Sequence, residues 1–304
     1  MDSIDKGILN HMANNCRITY RELSLKFNIS SSAIKKRVKK LEESGIIEGY
    51  GVNLSRAMTG TNLLFGFLAT DGSQDEQDFV NTLGKQEMFV AAASYTGGHY
   101  ALIAEYRNSQ DLWELGAFLR NFDCVLNIET HQLLSAQGST MELTKLHLRV
   151  INVLLDDPRM SIVDIAEKTG LTSRRVRRLV NELVEGQAVI FRSFNELGAA
   201  GSIPFLMWIT WNEKETDHNA IRDWLDKTFK LSLWESFISA EAPIMICLLS
   251  GEDLTEVDSI ARATRRHPHI PTVTVQISKH HRYFPGLSYR ILLKTLEEAG
   301  VRRS

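Results

Sequence analysis

Residues 19–50 read TYRELSLKFNISSSAIKKRVKKLEESGIIEGY, and this stretch decides the fold. Thr19 and Glu22 stand three apart, the spacing of a capping box in which hydroxyl and carboxylate satisfy each other's amides. Leu23 and Phe27 then give a first helix its buried face. Asn28 falls where the chain must reverse, and asparagine tolerates the left-handed conformation of a helix end. Ser30 or Ser31 caps the next helix, whose Ile34, Val38 and Leu41 recur at i, i+4 and i+7. Ser31, Ser32, Lys35, Lys36, Lys39 and Lys40 occupy the remaining faces. A helix-turn-helix has this layout, one face locked into a small core and a basic face outward. The alternating, glycine-flanked run Gly45–Val52 that follows predicts a short strand, hence a winged variant. Ile8, Leu9 and Met12 supply a preceding helix over 4–14.

The same pattern returns 142 residues later. Ile8, Leu9 and Met12 meet Val150, Ile151 and Leu154; Thr19 and Glu22 meet Ser161 and Asp164; Asn28 meets Gly170. Ile34, Val38 and Leu41 meet Val176, Val180 and Leu183. The exposed positions become Ser173, Arg174, Arg175, Arg177 and Arg178. Core, cap, turn and charge preserved at one offset predict an internal duplication. The offset extends into the intervening segments, placing the apolar run Leu63–Ala69 against Phe205–Trp211. A helix pattern over 75–85, strands over 89–96 and 100–106 around Gly97-Gly98, a helix opening at Asp111 and a strand over 125–134 complete one unit. The second unit ends with a strand over 273–279. Strand-helix-strand-strand-helix-strand is the ferredoxin-like order.

The expected fold class is therefore α+β, with two winged helix-turn-helix domains alternating with two ferredoxin-like βαββαβ domains. The expected boundaries are 1–55, 61–135, 142–196 and 203–280, followed by a C-terminal helical segment 285–304. Leu287, Ile291 and Leu292 are expected to cap a sheet or make a further contact. Apolar Leu63, Phe65, Phe67, Met207, Ile209 and Trp211 are expected to form a sheet face for assembly.

A length of 304 residues suits two or more domains. The formal charge of −2 hides an uneven field. Residues 1–55 carry 9 Lys/Arg against 6 Asp/Glu, residues 61–140 carry 3 against 10, and residues 142–194 carry 9 against 7. Mildly basic blocks are thus set among acidic ones, which suits DNA contact by the former. Cys16, Cys124 and Cys247 form no Cys-x-x-Cys pair, which argues against a disulfide framework or a cysteine zinc site and suits a reducing, cytoplasmic setting. No apolar run reaches the roughly 18–20 residues of a membrane helix, so no membrane partner is expected.

The run Ile4-Asp5, Ile8-Leu9, Arg17-Ile18-Thr19-Tyr20, Leu23, Ile29-Ser30, Val38, Leu41-Glu42, Gly45-Ile46-Ile47, Gly49-Tyr50 resembles the Lrp/AsnC (feast/famine) transcriptional regulators. The first copy matches closely and the second keeps pattern more than identity. The resemblance implies a winged helix joined to a ferredoxin-like domain, with double-stranded DNA as partner and homo-oligomers assembled through the ferredoxin-like domains. It also implies a small effector such as an amino acid, held by the turn Thr96-Gly97-Gly98-His99-Tyr100. At Tyr100 the family usually has an aspartate, and the second copy, Ser239–Pro243, has lost the glycines.

Catalysis finds little support in the sequence. No glycine-rich nucleotide loop or nucleophile elbow occurs, and His131, His267, His269, His280 and His281 lack a recognisable ligand spacing. No cofactor, metal or catalytic residue is expected, and the chain is read as no enzyme. The alternative is an enzyme resembling the sirohaem decarboxylases, which share paired winged-helix and Lrp-like units; there His99 and Arg107 would be the residues of interest.

Overall fold

The computed structural model describes Met1–Val301, apart from the Ala200 side chain; positions 302–304 of the expected C-terminal segment lie outside the described residues. In chain order the elements begin with α1 (Ser3–Asn14), α2 (Tyr20–Phe27), α3 (Ser31–Glu43), β1 (Ile47–Leu54) and the short α4 (Arg56–Thr59). Then come β2 (Asn62–Thr70), α5 (Glu76–Leu83), β3 (Phe89–Tyr95), β4 (His99–Tyr106), α6 (Ser109–Arg120) and β5 (Val125–Leu134). The second round runs α7 (Lys145–Leu154), α8 (Ile162–Thr169), α9 (Ser173–Glu185), β6 (Val189–Asn195), β7 (Ile203–Thr210), α10 (His218–Thr228), β8 (Leu233–Ser239), β9 (Ile244–Gly251), α11 (Leu254–Arg265) and β10 (Thr272–Tyr283). Helix α12 (Gly286–Glu298) closes the chain.

These elements sort into two compact units by kind rather than by sequence order. One gathers residues 1–61, 136–196 and the segment from Ser288; the other gathers 62–135 and 197–287.

In the first unit β1 and β6 pair antiparallel as a two-stranded sheet. The wing expected within each head is thus one strand from each. Tyr50 faces Ser193 and Gly51 faces Arg192, two pairs that the 142-residue offset exchanges, so the ribbon has a local pseudo-twofold. Gly51 lies close under the Phe194 ring, whose tip would stand 2.7 Å from a Cβ placed there. The heads are braced by Arg17 and by its counterpart Arg159. Arg17 donates to the carbonyls of Pro158 (2.6 Å) and Met160 (3.1 Å). Arg159 lies over the rings of Tyr20 and Tyr50, 5.1 and 5.3 Å from their centres. Leu292 and Leu296 of α12 enter the core of the second head, with Ile151, Val180 and Leu183. The C-terminal helix therefore completes a head through Leu292 and Leu296, while Leu287 at its start joins the core of the first ferredoxin-like half.

The second unit is an eight-stranded closed barrel, β10-β3-β4-β2-β5-β8-β9-β7. Each ferredoxin-like half contributes four neighbouring strands. Helices α5 and α6 cover the outside of one half, over Leu68, Phe79, Leu83, Leu102 and Leu115. Helices α10 and α11 cover the other, over Phe205, Met207, Ile209, Ile221 and Ile260. Between the halves lie Phe65, Tyr95, Ala101, Leu133, Leu206 and Ile246, with Leu63, Phe67 and Trp208 beside them. Trp208 is the hub, 5.8, 5.7 and 5.2 Å from the rings of Phe65, Phe67 and His131.

This corrects the expected assembly face twice. Its first-half members, Leu63, Phe65 and Phe67, are covered by the chain's own second half. Its second-half members, Met207, Ile209 and Trp211, point the other way, under the helices. The equivalents of Phe65 and Phe67 are Leu206 and Trp208, an offset of 141 and not 142. Strand side chains have period two, so a slip of one residue exchanges every inward residue for an outward one.

The two seams of the barrel differ. β10 outlasts the expected 273–279 strand and its last residues pair with β3 from Ser278–Tyr95 to Tyr283–Ala91. β5 meets β8 only at Leu133–Ser239 and Leu134–Ile238. That short seam is supplemented by Ala240 N donating to Gln132 O (2.8 Å) and by His131 Nδ1 against Ser239 Oγ (3.1 Å).

Phe65 is 2% exposed and touches both halves, whereas Leu126 is 70% exposed. Phe65→Ala is expected to destabilise the chain by about 3–5 kcal/mol. Leu126→Ala is expected to stay within about 0.5 kcal/mol of the parent. Urea unfolding midpoints of the two variants check the assignment of the interior face.

Candidate nucleic-acid interface

The first head builds its exposed helix from the cap outward. Thr19 Oγ1 accepts from Glu22 N (3.1 Å) while Glu22 Oε2 accepts from Thr19 N (2.7 Å), closing the capping box of α2. Those bonds hold the Glu22 carboxyl below its ordinary pKa. Asn28 ends α2 at φ 52°, in the left-handed region, and Ser30 caps α3 by accepting from Ala33 N at 3.1 Å. Ile34, Val38 and Leu41 are buried, and Ser31, Ser32, Lys35, Lys36, Lys39 and Lys40 are all exposed. At 3.6 residues per turn these six spread over about half of the helix circumference, opposite the buried stripe.

The second head repeats the geometry with other residues. Gly170 takes the turn at φ 64°, and Thr172 caps α9 by accepting from Arg175 N at 3.3 Å. Ser173, Arg174, Arg175, Arg177 and Arg178 are exposed; Val176, Leu179, Val180 and Leu183 are buried. All eleven sequence-predicted residues therefore stand on the outward faces of α3 and α9.

Two of the cations are engaged by their own helix. Arg178 Nε donates to Glu182 Oε1 at 2.7 Å, which raises the guanidinium pKa and lowers that of the carboxyl. Lys39 Nζ stands 3.4 Å from Glu43. Lys35, Lys36, Lys40, Arg174, Arg175 and Arg177 carry no carboxylate partner among the described residues. Arginine can grip phosphate or guanine with two donors, and lysine acts as a point charge. The exposed cations of α3 are thus lysines and those of α9 arginines.

Arg37 is a supporting residue that the sequence reading passed over. Its Nη1 donates to Asp2 Oδ2 and Asp5 Oδ1, both at 2.7 Å, tying α3 to the N-terminus of α1. Leu179 stands in the equivalent place in α9 and is buried instead. The offset alone would have revealed that contrast, as it would the matched Arg17 and Arg159.

The predicted effector residues do not converge on one space. Tyr95 and His99 pair across the three-residue turn Thr96-Gly97-Gly98, whose glycines take φ 76° and 73°. Tyr100 is fully buried, its ring 4.7 Å from Phe79 and its hydroxyl accepting from Gln74 Nε2 at 2.8 Å. His99 points to the opposite sheet face and stacks on Phe67 at 5.2 Å. A cleft of about 600 Å³ in the same unit lies elsewhere, lined by Leu112, Leu115, Ile128, Gln132 and Glu241 among others. His99 and Arg107 fall at opposite ends of β4, roughly 26 Å apart along an extended strand of about 3.3 Å per residue. Arg107 is moreover held by Asp111, with Nε to Oδ2 at 3.0 Å.

The histidines do find carboxylates that sequence spacing concealed. His131 Nε2 lies 3.2 Å from Glu129, and His269 Nδ1 lies 3.0 Å from Glu215. His267 packs against the Trp224 ring, tilted by 57° with 4.5 Å between ring centres.

Comparison with known proteins gives two kinds of likeness. A model described as winged helix-turn-helix DNA-binding matches residues 1–48 and again residues 143–187. The regulatory protein AsnC of Escherichia coli K12 is 32% identical over 106 residues, covering 34% of this chain and 67% of AsnC. An uncharacterised HTH-type transcriptional regulator of Pyrococcus abyssi is 28% identical over 137 residues, 44% of this chain and 92% of that one. Among solved structures, the siroheme decarboxylase NirDL aligns over 97% of this chain and all of its own, with a TM-score of 0.55 and 13% identity. Its complex with an iron-uroporphyrin III analogue gives 0.56 over 98%. This overturns the expectation of no enzyme, since an enzyme shares the fold over 97% of the chain. At 13% identity the likeness is one of fold.

Thr19→Ala is expected to cost about 1 kcal/mol by removing the α2 cap. Because Glu22 has its pKa lowered by folding, the box contributes fully above the ordinary glutamate value of 4.5. Its contribution is lost as pH falls through the lowered value. Thermal unfolding of parent and variant is therefore expected to converge at acid pH and to separate near neutrality.

Proposed function

As this chain belongs to the Lrp/AsnC family of regulatory proteins, we propose that it is a sequence-specific DNA-binding transcriptional regulator carrying two unlike reading heads that arose by tandem duplication. One observation carries the reading: two capped helices with exposed basic faces stand where a DNA-binding model matches twice. Exposed cations on such helices neutralise phosphates and release counterions, while Ser31, Ser32, Ser173 and the arginine forks address base edges in the major groove. Because Lys35 and Lys36 face one half-site and Arg177 and Arg178 the other, the preferred operator is asymmetric. A small effector belongs to the proposal at the exposed rim of Thr96, Gly97, Gly98 and His99; Tyr100, buried in the core, would act there only as support.

A second reading rests on the whole-chain likeness to siroheme decarboxylase: a tetrapyrrole-acting enzyme on the same fold. Titration of the purified chain with iron-uroporphyrin III separates the two. A saturable spectral change with release of carbon dioxide supports the enzyme, and none supports the regulator.

For the regulator, selection from random DNA at a stated salt concentration is expected to return a non-palindromic site. Lys35→Ala with Lys36→Ala, and Arg177→Ala with Arg178→Ala, are each expected to weaken binding and to lower the salt slope by about two. Unchanged affinity in both double variants would refute the assigned faces.

A further inference from the structure

The two heads share a plan but not a surface, and one difference opens a cleft. In the first head the Phe27 ring lies directly on Gly7: a Cβ there would come within 2.5 Å of Phe27 Cε1. His11 packs edge-on against the same ring at 5.9 Å. The three positions between α1 and α2 are thus filled.

In the second head the offset places Thr169 at Phe27, Arg149 at Gly7 and Val153 at His11. Thr169 is too small to fill the space, and its hydroxyl turns back to the Ile165 carbonyl at 2.6 Å. The result is a cleft of about 610 Å³ lined by Lys145, Arg149, Asn152, Lys168, Thr169 and the end of the described chain at Gly300-Val301. Lys145 replaces Ser3, so two of the three cations are new to this head. The wall at Gly300-Val301 follows α12, an element with no counterpart after the first head, and is fixed by Val301 N donating to Leu296 O at 2.9 Å.

The electrostatics select the ligand. Lys145, Arg149 and Lys168 line the cleft, and no carboxylate is among its lining residues within the described chain. Like charges so placed repel unless an anion lies among them. The Arg149 guanidinium is oriented by a bond from Nη2 to the Thr169 carbonyl. Three cations match a ligand of two or more negative charges. The cleft lies between α7 and the C-terminal end of α8, and none of its lining residues is on α9. The turn at Gly170 follows Thr169 directly and leads to the Thr172 cap.

We propose that this cleft, which the first head fills with Phe27, is a binding site for a small polyanion bearing phosphate or carboxylate groups, and that it is independent of the α9 arginines. Calorimetric titration of the full chain with inorganic pyrophosphate, and separately with citrate, tests it and tells the two sources of charge apart. One saturable site for either anion is expected. Thr169→Phe, which installs the ring of the first head, is expected to weaken binding at least tenfold. Lys145→Ala with Arg149→Ala alters only exposed side chains and is expected to do the same, which keeps the test decisive if the phenylalanine variant fails to fold. Arg177→Ala with Arg178→Ala is expected to bind as the parent does. Absence of saturable binding to both anions overturns the proposal. So does binding that survives the cleft substitutions but is lost with the α9 substitutions, which would place the anion on the recognition helix.

Discussion

An unpaired strand edge is the constraint on which the rest of this structure depends. A single strand cannot satisfy its own backbone, and a four-stranded sheet leaves two exposed edges that invite aggregation. Each half of this chain has both problems, and the other half answers both. Among the described residues β1 pairs with β6 alone, and the β3 and β5 edges of the first sheet are met by β10 and β8 of the second. The chain therefore supplies within itself the pairings that a lone copy would have to seek in another molecule. Burial follows from the same closure: Phe65 and Trp208 lose water only because two sheets face each other.

The closure is symmetric in plan and uneven in execution. The long β10 zips along β3, while β5 grips β8 at two residue pairs and leans on His131, Ser239 and Gln132 for the remainder. A symmetric dimer of identical chains must make both seams alike. One chain is free of that requirement, and the heads differ for the same reason. Arg37 with its two aspartates on one side faces buried Leu179 on the other, and Phe27 faces Thr169.

The sequence was legible wherever the physics is local. Caps at Thr19 and Ser161, turns at Asn28 and Gly170, and the stripes of α3 and α9 follow from spacing alone, and so did the basic faces. Tertiary pairing was less accessible, because nothing near Gly51 states that Phe194 will lie across it. The phase of β7 failed for a sharper reason. An offset carried unchanged from the heads into the sheet was wrong by one residue, and period two turns that small error into the wrong face. The effector turn shows the same limit, since adjacent His99 and Tyr100 necessarily point to opposite sides of their sheet. The absence of catalytic motifs also misled, because that inference treats function as something motifs must announce. A fold that serves a decarboxylase over its whole length, at 13% identity, carries no such announcement.

What distinguishes regulator from enzyme is therefore the chemistry of surfaces, not the architecture. In α9, four arginines stand within five positions on a helix whose opposite face is wholly apolar. Concentrating cations in this way raises mutual repulsion, and among the described residues only Arg178 is relieved by a neighbouring carboxylate. Water and salt screen exposed like charges, and an anion laid along the helix relieves what repulsion remains. The same reasoning applies to the three exposed cations between α7 and α8, which line a cleft of about 610 Å³. On the two proposals above, that head would hold a polymeric anion along α9 and a soluble one between α7 and α8, and would respond to the second while engaged with the first. The first head retains lysines on α3 and fills its cleft with Phe27, so any such response would be confined to half of the molecule.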